Sequence, residues 1–309
     1  MVRRLAQDLG LELSQIPGTG PAGRITKDDL KGYLNLPGHA DSPARDAAVV
    51  TSDVAASVVS DVTSTSSAVE ANVTTTVEGA VEDLPVIGVR RLIAERMQLS
   101  KQRIPHFSYV EEVAVDALES LRQQMNAERQ QDQPKLSLLH FVLLAVSRTV
   151  LQWPQCNAHF DDDESVLRQF KQVHTGVATM TPNGLMVPVV NNCSELSVWE
   201  IASEVNQLAE LARAGRLARD QLTGSTITVT SLGTLAGVTT TPVINRPETS
   251  IIGPNKMMDK VELVDGQPVN RRVMNISSSF DHRVVDGYDA ACFVQAIKEQ
   301  LEQPASLVS

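Results

Sequence analysis

The sequence predicts an α/β domain with a mixed sheet over residues 84–309. Two observations point to it. Strand-like alternation and helix-like periodicity take turns along this stretch. Everything before residue 84 is either a short helical unit or an acidic segment without large apolar side chains, so the main core has to be built after it.

The elements follow in chain order. Leu5 and Leu9 stand at i, i+4 in a short helix over residues 2–9, which Gly10 stops. Residues 16–24 form a glycine-rich loop, Ile16-Pro17-Gly18-Thr19-Gly20-Pro21-Ala22-Gly23-Arg24. Thr26 is the expected N-cap of a second helix through Leu30, Tyr33 and Leu34, with Asp28 and Asp29 in its favourable first turn. These pieces make a unit over residues 1–36. Residues 37–83 read as a disordered linker. Between residues 38 and 83 eight carboxylates face the single Arg45, so −7 of the chain's −10 sits there. The same stretch has no Phe, Trp, Tyr, Leu or Ile, and cannot bury enough apolar area to offset its ordering entropy. A Val/Thr-rich β region is the alternative, and the absence of alternation speaks against it.

In the large domain, residues 107–115 read as a strand. Asp116 is expected to cap a helix with Leu118, Leu121 and Met125 inward. Residues 136–153 are nearly all apolar and read as a buried helix. Ser197-Val198-Trp199-Glu200 is a capping box that opens a helix with Ile201, Val205 and Leu208 on one face. Residues 225–232 and 273–280 alternate as strands. A last helix from about Asp289 buries Phe293, Val294, Ile297 and Leu301.

Composition excludes several classes. The net charge of −10 opposes a nucleic-acid-binding surface over the whole chain. Cys156, Cys193 and Cys292 form no C-x-x-C pair, which argues against a zinc ribbon or a disulfide framework and suits a reducing compartment. No apolar run reaches the roughly 18 residues of a membrane span, and MVRRLAQDLG lacks the apolar stretch of a secretory signal. A soluble intracellular protein is expected, without metal, membrane or nucleic acid.

The strongest chemical signal is Ser277-Ser278-Ser279-Phe280-Asp281-His282-Arg283-Val284-Val285-Asp286-Gly287. His282 stands where a strand meets a loop, and a neutral imidazole is the natural base near pH 7. A histidine at a strand end is by itself most often structural. The whole string D-H-R-V-V-D-G resembles the active-site motif of the dihydrolipoamide acyltransferases, the core subunits of 2-oxo acid dehydrogenase complexes, with a related form in chloramphenicol acetyltransferase. Further segments extend the resemblance over essentially the whole chain. Val2-Arg3-Arg4-Leu5-Ala6 with Gly18-Thr19-Gly20 and Gly23-Arg24-Ile25 looks like the family's peripheral subunit-binding domain. Arg90 to Met97, Ile104-Pro105-His106-Phe107, Asn183-Gly184-Leu185-Met186-Val187-Pro188-Val189 and the stretch from Gly224 to Gly233 resemble successive catalytic-domain motifs.

The resemblance implies a chloramphenicol-acetyltransferase-like catalytic domain and an acyl exchange between dihydrolipoamide and coenzyme A, the latter a substrate. His282 matches the base that takes the thiol proton, since the thiolate is the nucleophile. Thr230 matches a hydroxyl residue that donates to the oxyanion, a role typically worth about 3 kcal/mol. Alone, it reads as an ordinary strand threonine. Asp286 either orients His282 or fixes the loop through an arginine (Arg283, Arg90, Arg91 or Arg96), and it can cap a helix at the same time. Asn183, Gly184, Leu185 and Met186 match a channel wall. His106 either lines that channel or is simply packed. The family forms trimers at the corners of a cube, so a homotrimer assembling to a 24-mer is implied, with His282 and Thr230 from different chains.

Arg3 and Arg24, with Arg4 nearby, match positions that pair with an acidic patch on dihydrolipoamide dehydrogenase or the 2-oxo acid dehydrogenase; a solvated helix face is the alternative reading. Gln7 stands where some relatives have Arg. The Gly-Thr-Gly loop lacks a preceding strand and the G-x-x-x-x-G-K-[ST] pattern, so it is not a phosphate loop. Relatives carry lipoyl domains ahead of this point, and no E-x-D-K-A hairpin precedes Val2. Asp259-Lys260-Val261 is a superficial match and reads as an ordinary turn. A truncated chain or shortened gene is expected; otherwise the lipoyl group arrives on another chain. Gln102 to Val113 and Ser277 to Phe280 resemble the branched-chain members, so a 2-methylpropanoyl-type acyltransferase is expected over an acetyl- or succinyl-transferring one. A non-catalytic scaffold that recruits the dehydrogenase and a free antibiotic acetyltransferase are the competing classes.

Overall fold

The computed structural model describes residues 82–182 and 184–308, with Ile16, residues 18–20 and 25–26, and Asp29 before them. The chain divides into two units, Met1–Glu78 and Gly79–Ser309. In the first, Thr26 is the cap that its position predicts. Its Oγ1 accepts from the Asp29 N–H at 3.3 Å, and Asp29 Oδ2 accepts in return from the Thr26 N–H at 2.8 Å. Thr19 of the Gly-Thr-Gly loop donates to the same carboxylate from Oγ1 and N. The Thr19 hydroxyl and these backbone donors hold the Asp29 carboxyl well below the usual range. The expected helix over 2–9, Leu30, Arg3, Arg4, Arg24 and the linker as far as residue 81 lie outside the described residues.

The second unit is built on a seven-stranded mixed sheet, β1-β9-β8-β7-β4-β5, with β6 paired to β4. Its strands are β1 His106–Ala114, β4 Thr175–Thr181, β5 Gly184–Met186, β6 Val189–Val190, β7 Ile227–Thr230, β8 Ser250–Val264 and β9 Gln267–Asp281. β4, β7 and β8 run parallel; β9 is antiparallel to both β8 and β1. A separate hairpin joins β2 Ala158–Asp161 to β3 Val166–Gln169. The helices are α1 Gly88–Arg103, α2 Asp116–Glu128, α3 Leu138–Thr149, α4 Val198–Arg213, α5 Gly287–Glu302 and α6 Ala305–Val308.

Strand alternation decides which residues meet the helices. Ile227 and Val229 of β7 and Met274, Ile276 and Phe280 of β9 enter the core with Phe141–Val146 of α3, Ile201 and Val205 of α4, and Phe293, Val294 and Ile297 of α5. The intervening Thr228 and Thr230, and Asn275, Ser277, Ser279 and Asp281, therefore point to the opposite face. Full burial of one such large side chain stabilises the fold by roughly 1.5–3 kcal/mol.

Several boundaries differ from the sequence expectation for physical reasons. Asp116 occupies the first turn of α2 but does not cap it; its Oδ1 accepts from the Arg272 N–H of β9 at 2.9 Å. The apolar run starting at Leu136 becomes helical only at Leu138, because the Ser137 N–H donates to His140 Nδ1 at 3.1 Å and turns the chain there. β9 is 15 residues long and pairs with an equally long β8 that alternation alone does not reveal. Asp265 (φ 50°) and Gly266 (φ 77°) join them in the two-residue turn that suits strand twist. Lys260 is not in a turn: it sits inside β8 and pairs with Glu112 and Glu262. The Ser197/Glu200 box is present, with reciprocal bonds of 2.8 and 3.3 Å. Cys156 and Cys193 are buried, and burial raises both thiols above their usual pKa.

Burial lowers the His140 pKa from 6.5 to about 4. The folded state thus binds its proton more weakly than the unfolded chain. The stability it permits is full above pH 6.5 and is lost as pH falls toward 4. Urea titrations over this window are expected to show a loss of about 3 kcal/mol from this residue alone. In His140→Asn, whose amide oxygen takes the place of Nδ1, the loss should be correspondingly smaller.

Candidate active site

His282 follows the last residue of β9 and is exposed. Its N–H donates to the Pro105 carbonyl at 3.2 Å, and its ring lies 4.3 Å from the Phe107 ring, between centroids. The loop that carries it is fixed by its flanking residues. Asp281 is fully buried and accepts from the Arg283 N–H at 3.1 Å and from its guanidinium at 2.6–3.1 Å. The Asp281 carbonyl also accepts from the Val284 and Val285 N–H groups. Arg283 extends over the Phe160 ring, 4.3 Å from its centroid, and forms an ion pair with Asp162. Asp162 is shared with Arg246, at 2.7 Å. Burial opposes ionisation of Asp162, yet hydrogen bonds from Arg283 and Arg246 outweigh it and hold the carboxyl below its usual value. The bonds to Asp281 raise the Arg283 guanidinium. The β2–β3 hairpin is thereby tied to the turn that presents His282.

Asp286 is not paired with an arginine among the described residues. Its Oδ1 accepts from the Asp289 N–H at 2.9 Å and caps α5. Arg283, the nearest arginine in sequence, is occupied by Asp281 and Asp162.

Thr230 ends β7 and lines a cavity of about 380 Å³ with Thr228, Met97, Met180, Leu185 and Asn245. Leu185 therefore shares a cavity with Thr230, whereas Gly184 and Met186 pair with β4 beside it. Gly184 has φ 120°, and a Cβ there would come within 3.2 Å of Ile93 Cδ1. Asn183 lies outside the described residues. A second cavity of about 740 Å³ begins at the next residue, Ser231. Pro254 and Asn255 line both cavities, and Arg122, Lys135 and Lys256 line the larger one.

His106 is engaged by backbone on both nitrogens. Nδ1–H donates to the Ile104 carbonyl at 2.9 Å, and Nε2 accepts from the Ile244 N–H at 3.0 Å. Burial lowers its pKa and favours this neutral tautomer. No ring nitrogen is left over for a substrate, and His106 lines neither cavity described above.

The structure does not bring His282 and Thr230 together within one chain. A Cβ on Gly253 would lie 3.5 Å from the Thr230 carbonyl, and Gly253 pairs with Ser277. Ser277 is five residues from His282 along β9, which at strand rise is about 17 Å. Asp281, Asp162, Arg246 and Phe160 were not singled out from sequence. Asp281 was visible as the first residue of D-H-R; Asp162, Arg246 and Phe160 carry no local signal, since only the fold places their loops beside Arg283.

The unit is thus a mixed-sheet α/β fold with an exposed histidine at a strand end and a largely apolar cavity to which Thr228 and Thr230 contribute. The chain belongs to the 2-oxoacid dehydrogenase acyltransferases: the model of that family's catalytic domain matches residues 78–309, and a model of the E3 binding domain matches residues 1–31. It is 44% identical over 306 residues to the lipoamide acyltransferase component of the branched-chain alpha-keto acid dehydrogenase complex of Pseudomonas putida, covering 99% of this chain and 66% of that protein. The Pseudomonas aeruginosa counterpart is 45% identical with the same coverage. The acetyltransferase component of the Cupriavidus necator pyruvate dehydrogenase complex is 34% identical over 294 residues, covering 94% of this chain and 51% of that protein. The chain thus spans 66% of the length of the branched-chain relatives. Among solved structures, the Azotobacter vinelandii dihydrolipoamide acetyltransferase, whose catalytic mechanism was probed at a serine, a histidine and an asparagine, superposes with TM-score 0.72 at 31% identity, covering 77% of this chain and 98% of that one. A cubic core of the pyruvate dehydrogenase multienzyme complex gives 0.73 at 30% identity with the same coverage.

Asp162→Ala removes the anion between two arginines that remain partly hydrated. It is expected to cost about 2 kcal/mol in chemical denaturation, within the range for hydrogen bonds to charged groups.

Proposed function

We propose that this chain transfers an acyl group between dihydrolipoamide and coenzyme A, with a branched-chain acyl group as its substrate. One observation carries the mechanism. The exposed His282 and the cavity-lining Thr230 are separated by five residues of β9 along the strand direction, about 17 Å, in one chain, so a site that uses both is completed by a neighbouring copy.

In this reading His282 takes the proton from the attacking thiol, and the thiolate adds to the thioester carbonyl. The Thr230 hydroxyl donates to the oxyanion that forms. Collapse of the tetrahedral adduct breaks the other carbon–sulfur bond, and the departing thiolate takes the proton back from the imidazolium. The chemistry needs no metal. Asp286 holds the start of α5 and so the end of the His282 loop. The 740 Å³ cavity, with Lys135 and Lys256 at hand, suits the phosphates of coenzyme A; the 380 Å³ cavity suits an apolar acyl arm. The lipoyl group is carried by a domain other than those described. The higher identity to branched-chain components than to acetyl-transferring ones supports the choice of acyl group. The match to the E3 binding domain supports docking of a dehydrogenase subunit through residues 1–31, with Arg3, Arg4 and Arg24 as its contacts. A homotrimer built up into a cubic 24-mer is the assembly we favour.

Purified chain is expected to transfer branched acyl groups from acyl-dihydrolipoamide to coenzyme A faster than acetyl or succinyl groups; equal or faster acetyl transfer overturns the choice of substrate. Thr230→Ala should lower kcat by about 100- to 1000-fold, and Thr230→Ser should recover most of it. His282→Ala should be inactive. Mixed and reassembled at equal amounts, His282→Ala and Thr230→Ala chains should regain about a quarter of wild-type activity, the statistical share of sites with both groups intact. No recovery would place the two groups in one chain or remove one of them from the mechanism.

A further inference from the structure

Behind the wall of the 380 Å³ cavity lies a carboxyl group that the proposed chemistry leaves unused. Glu248 is buried, in the loop that leads into β8. Its Oε1 accepts from Ser225 Oγ at 2.5 Å and from Asn245 Nδ2 at 2.9 Å. Ser225 stands just before β7, the strand that contributes Thr228 and Thr230 to one side of the cavity. Asn245 ends the 240–245 segment, which supplies Thr240, Pro242 and Val243 to another side. A single carboxyl oxygen therefore joins two walls of the cavity. The other oxygen, Oε2, has no hydrogen-bond partner of normal geometry, and neither has the neighbouring Thr228 Oγ1, also buried. The carboxyl is buried among neutral donors, with no ion-pair partner among the described residues, and an uncompensated charge is costly there; the neutral acid can direct the proton of Oε2 at the threonine oxygen.

We propose that Glu248 is a positioning residue which, in its neutral carboxylic-acid form, pins the 240–245 segment to β7 and so sets the width of the acyl-arm cavity. The proposal rests on the acyl-transfer reading for its kinetic consequence but not for its structural one. Burial raises the Glu248 pKa from 4.5 to about 7, against the opposing hydrogen bonds from Ser225 and Asn245 and the nearby Thr228 hydroxyl. Its charged and titratable surroundings are few. His159 of β2, bridged to Glu248, is tied through Nε2 to the Ser225 carbonyl at 2.7 Å, and burial lowers its pKa. Arg246 and Arg283 are balanced by Asp162 and Asp281. Ionisation above pH 7 places an unpaired charge under the wall. Because the folded pKa lies above the unfolded one, this group's stabilisation is present below pH 4.5 and is lost as pH rises through 7.

Gln is the test residue, since Glu248→Gln keeps one acceptor for Ser225 and Asn245 and offers a permanent N–H to Thr228. In the full chain, the infrared stretch of a protonated carboxyl should be present at pH 6, disappear with a midpoint near 7 and be missing from Glu248→Gln. Hydrogen exchange of residues 240–245, corrected for intrinsic rate, should accelerate through the same pH in the wild type and stay flat in Glu248→Gln. KM for the acyl donor should rise a few-fold with it, with kcat retained, and should not rise in Glu248→Gln. Identical exchange profiles in the two proteins, or no protonated carboxyl at pH 6, overturn the proposal. Absence of transfer in the wild type with the exchange difference intact overturns the acyl-transfer reading instead.

Discussion

The structure depends on the two-sidedness of its central strands. Ile227 and Val229 can reach the helices only if Thr228 and Thr230 face away from them, and Phe280 can enter the core only if Asp281 turns to the other side. A slip of one residue would move hydroxyls into the core and branched side chains onto the cavity wall, at a cost of several kcal/mol. The energy that specifies the register of β7 and β9 thus also specifies the side chains offered to a substrate. Gly176 shows how tight the arrangement is: a Cβ there would meet Thr228 Oγ1 and Val187 Cγ1 at 2.8 Å, so β4 can lie against β7 only without a side chain at that point.

Asp281 extends this order beyond the sheet. It is the last residue of β9 and the first of the loop, and it serves both. Its backbone accepts two N–H groups that start the turn, and its carboxylate receives the Arg283 fork. An arginine suits this place because its planar head can bind Asp281, meet Asp162 and cover Phe160 at once. His282 is carried between fixed neighbours while its own ring stays exposed.

The parts of the molecule that were legible from sequence are those with local causes. The Ser197/Glu200 box, the inward face of α4, the strand through Phe280 and the helix through Phe293 each follow from spacing within a dozen residues. The D-H-R-V-V-D-G string located His282 and the Asp286 cap in the same way. What escaped has causes remote in sequence. Asp162 meets Arg283 across 121 positions, and Glu248 meets Ser225 across 23. By type, His106 could line a channel or simply be packed; the Ile104 carbonyl and the Ile244 N–H, 138 residues away, occupy both of its ring nitrogens. The β8–β9 hairpin was readable in principle, since Asp265-Gly266 is a strong turn pair, but the strand before it bulges between Pro254 and Met257 and breaks the alternation.

The buried cysteines carry a consequence of their own. With the acyl-transfer activity proposed above, the chain would risk being acylated or cross-linked by its own reagents. Cys156 and Cys193 are withdrawn from that hazard twice over, first because the core keeps the carrier away from their sulfurs, and second because a dry environment keeps them as thiols rather than nucleophilic thiolates. The packing that holds the helices to the sheet thus also keeps these two sulfurs out of reach of reactive thioesters and disulfides.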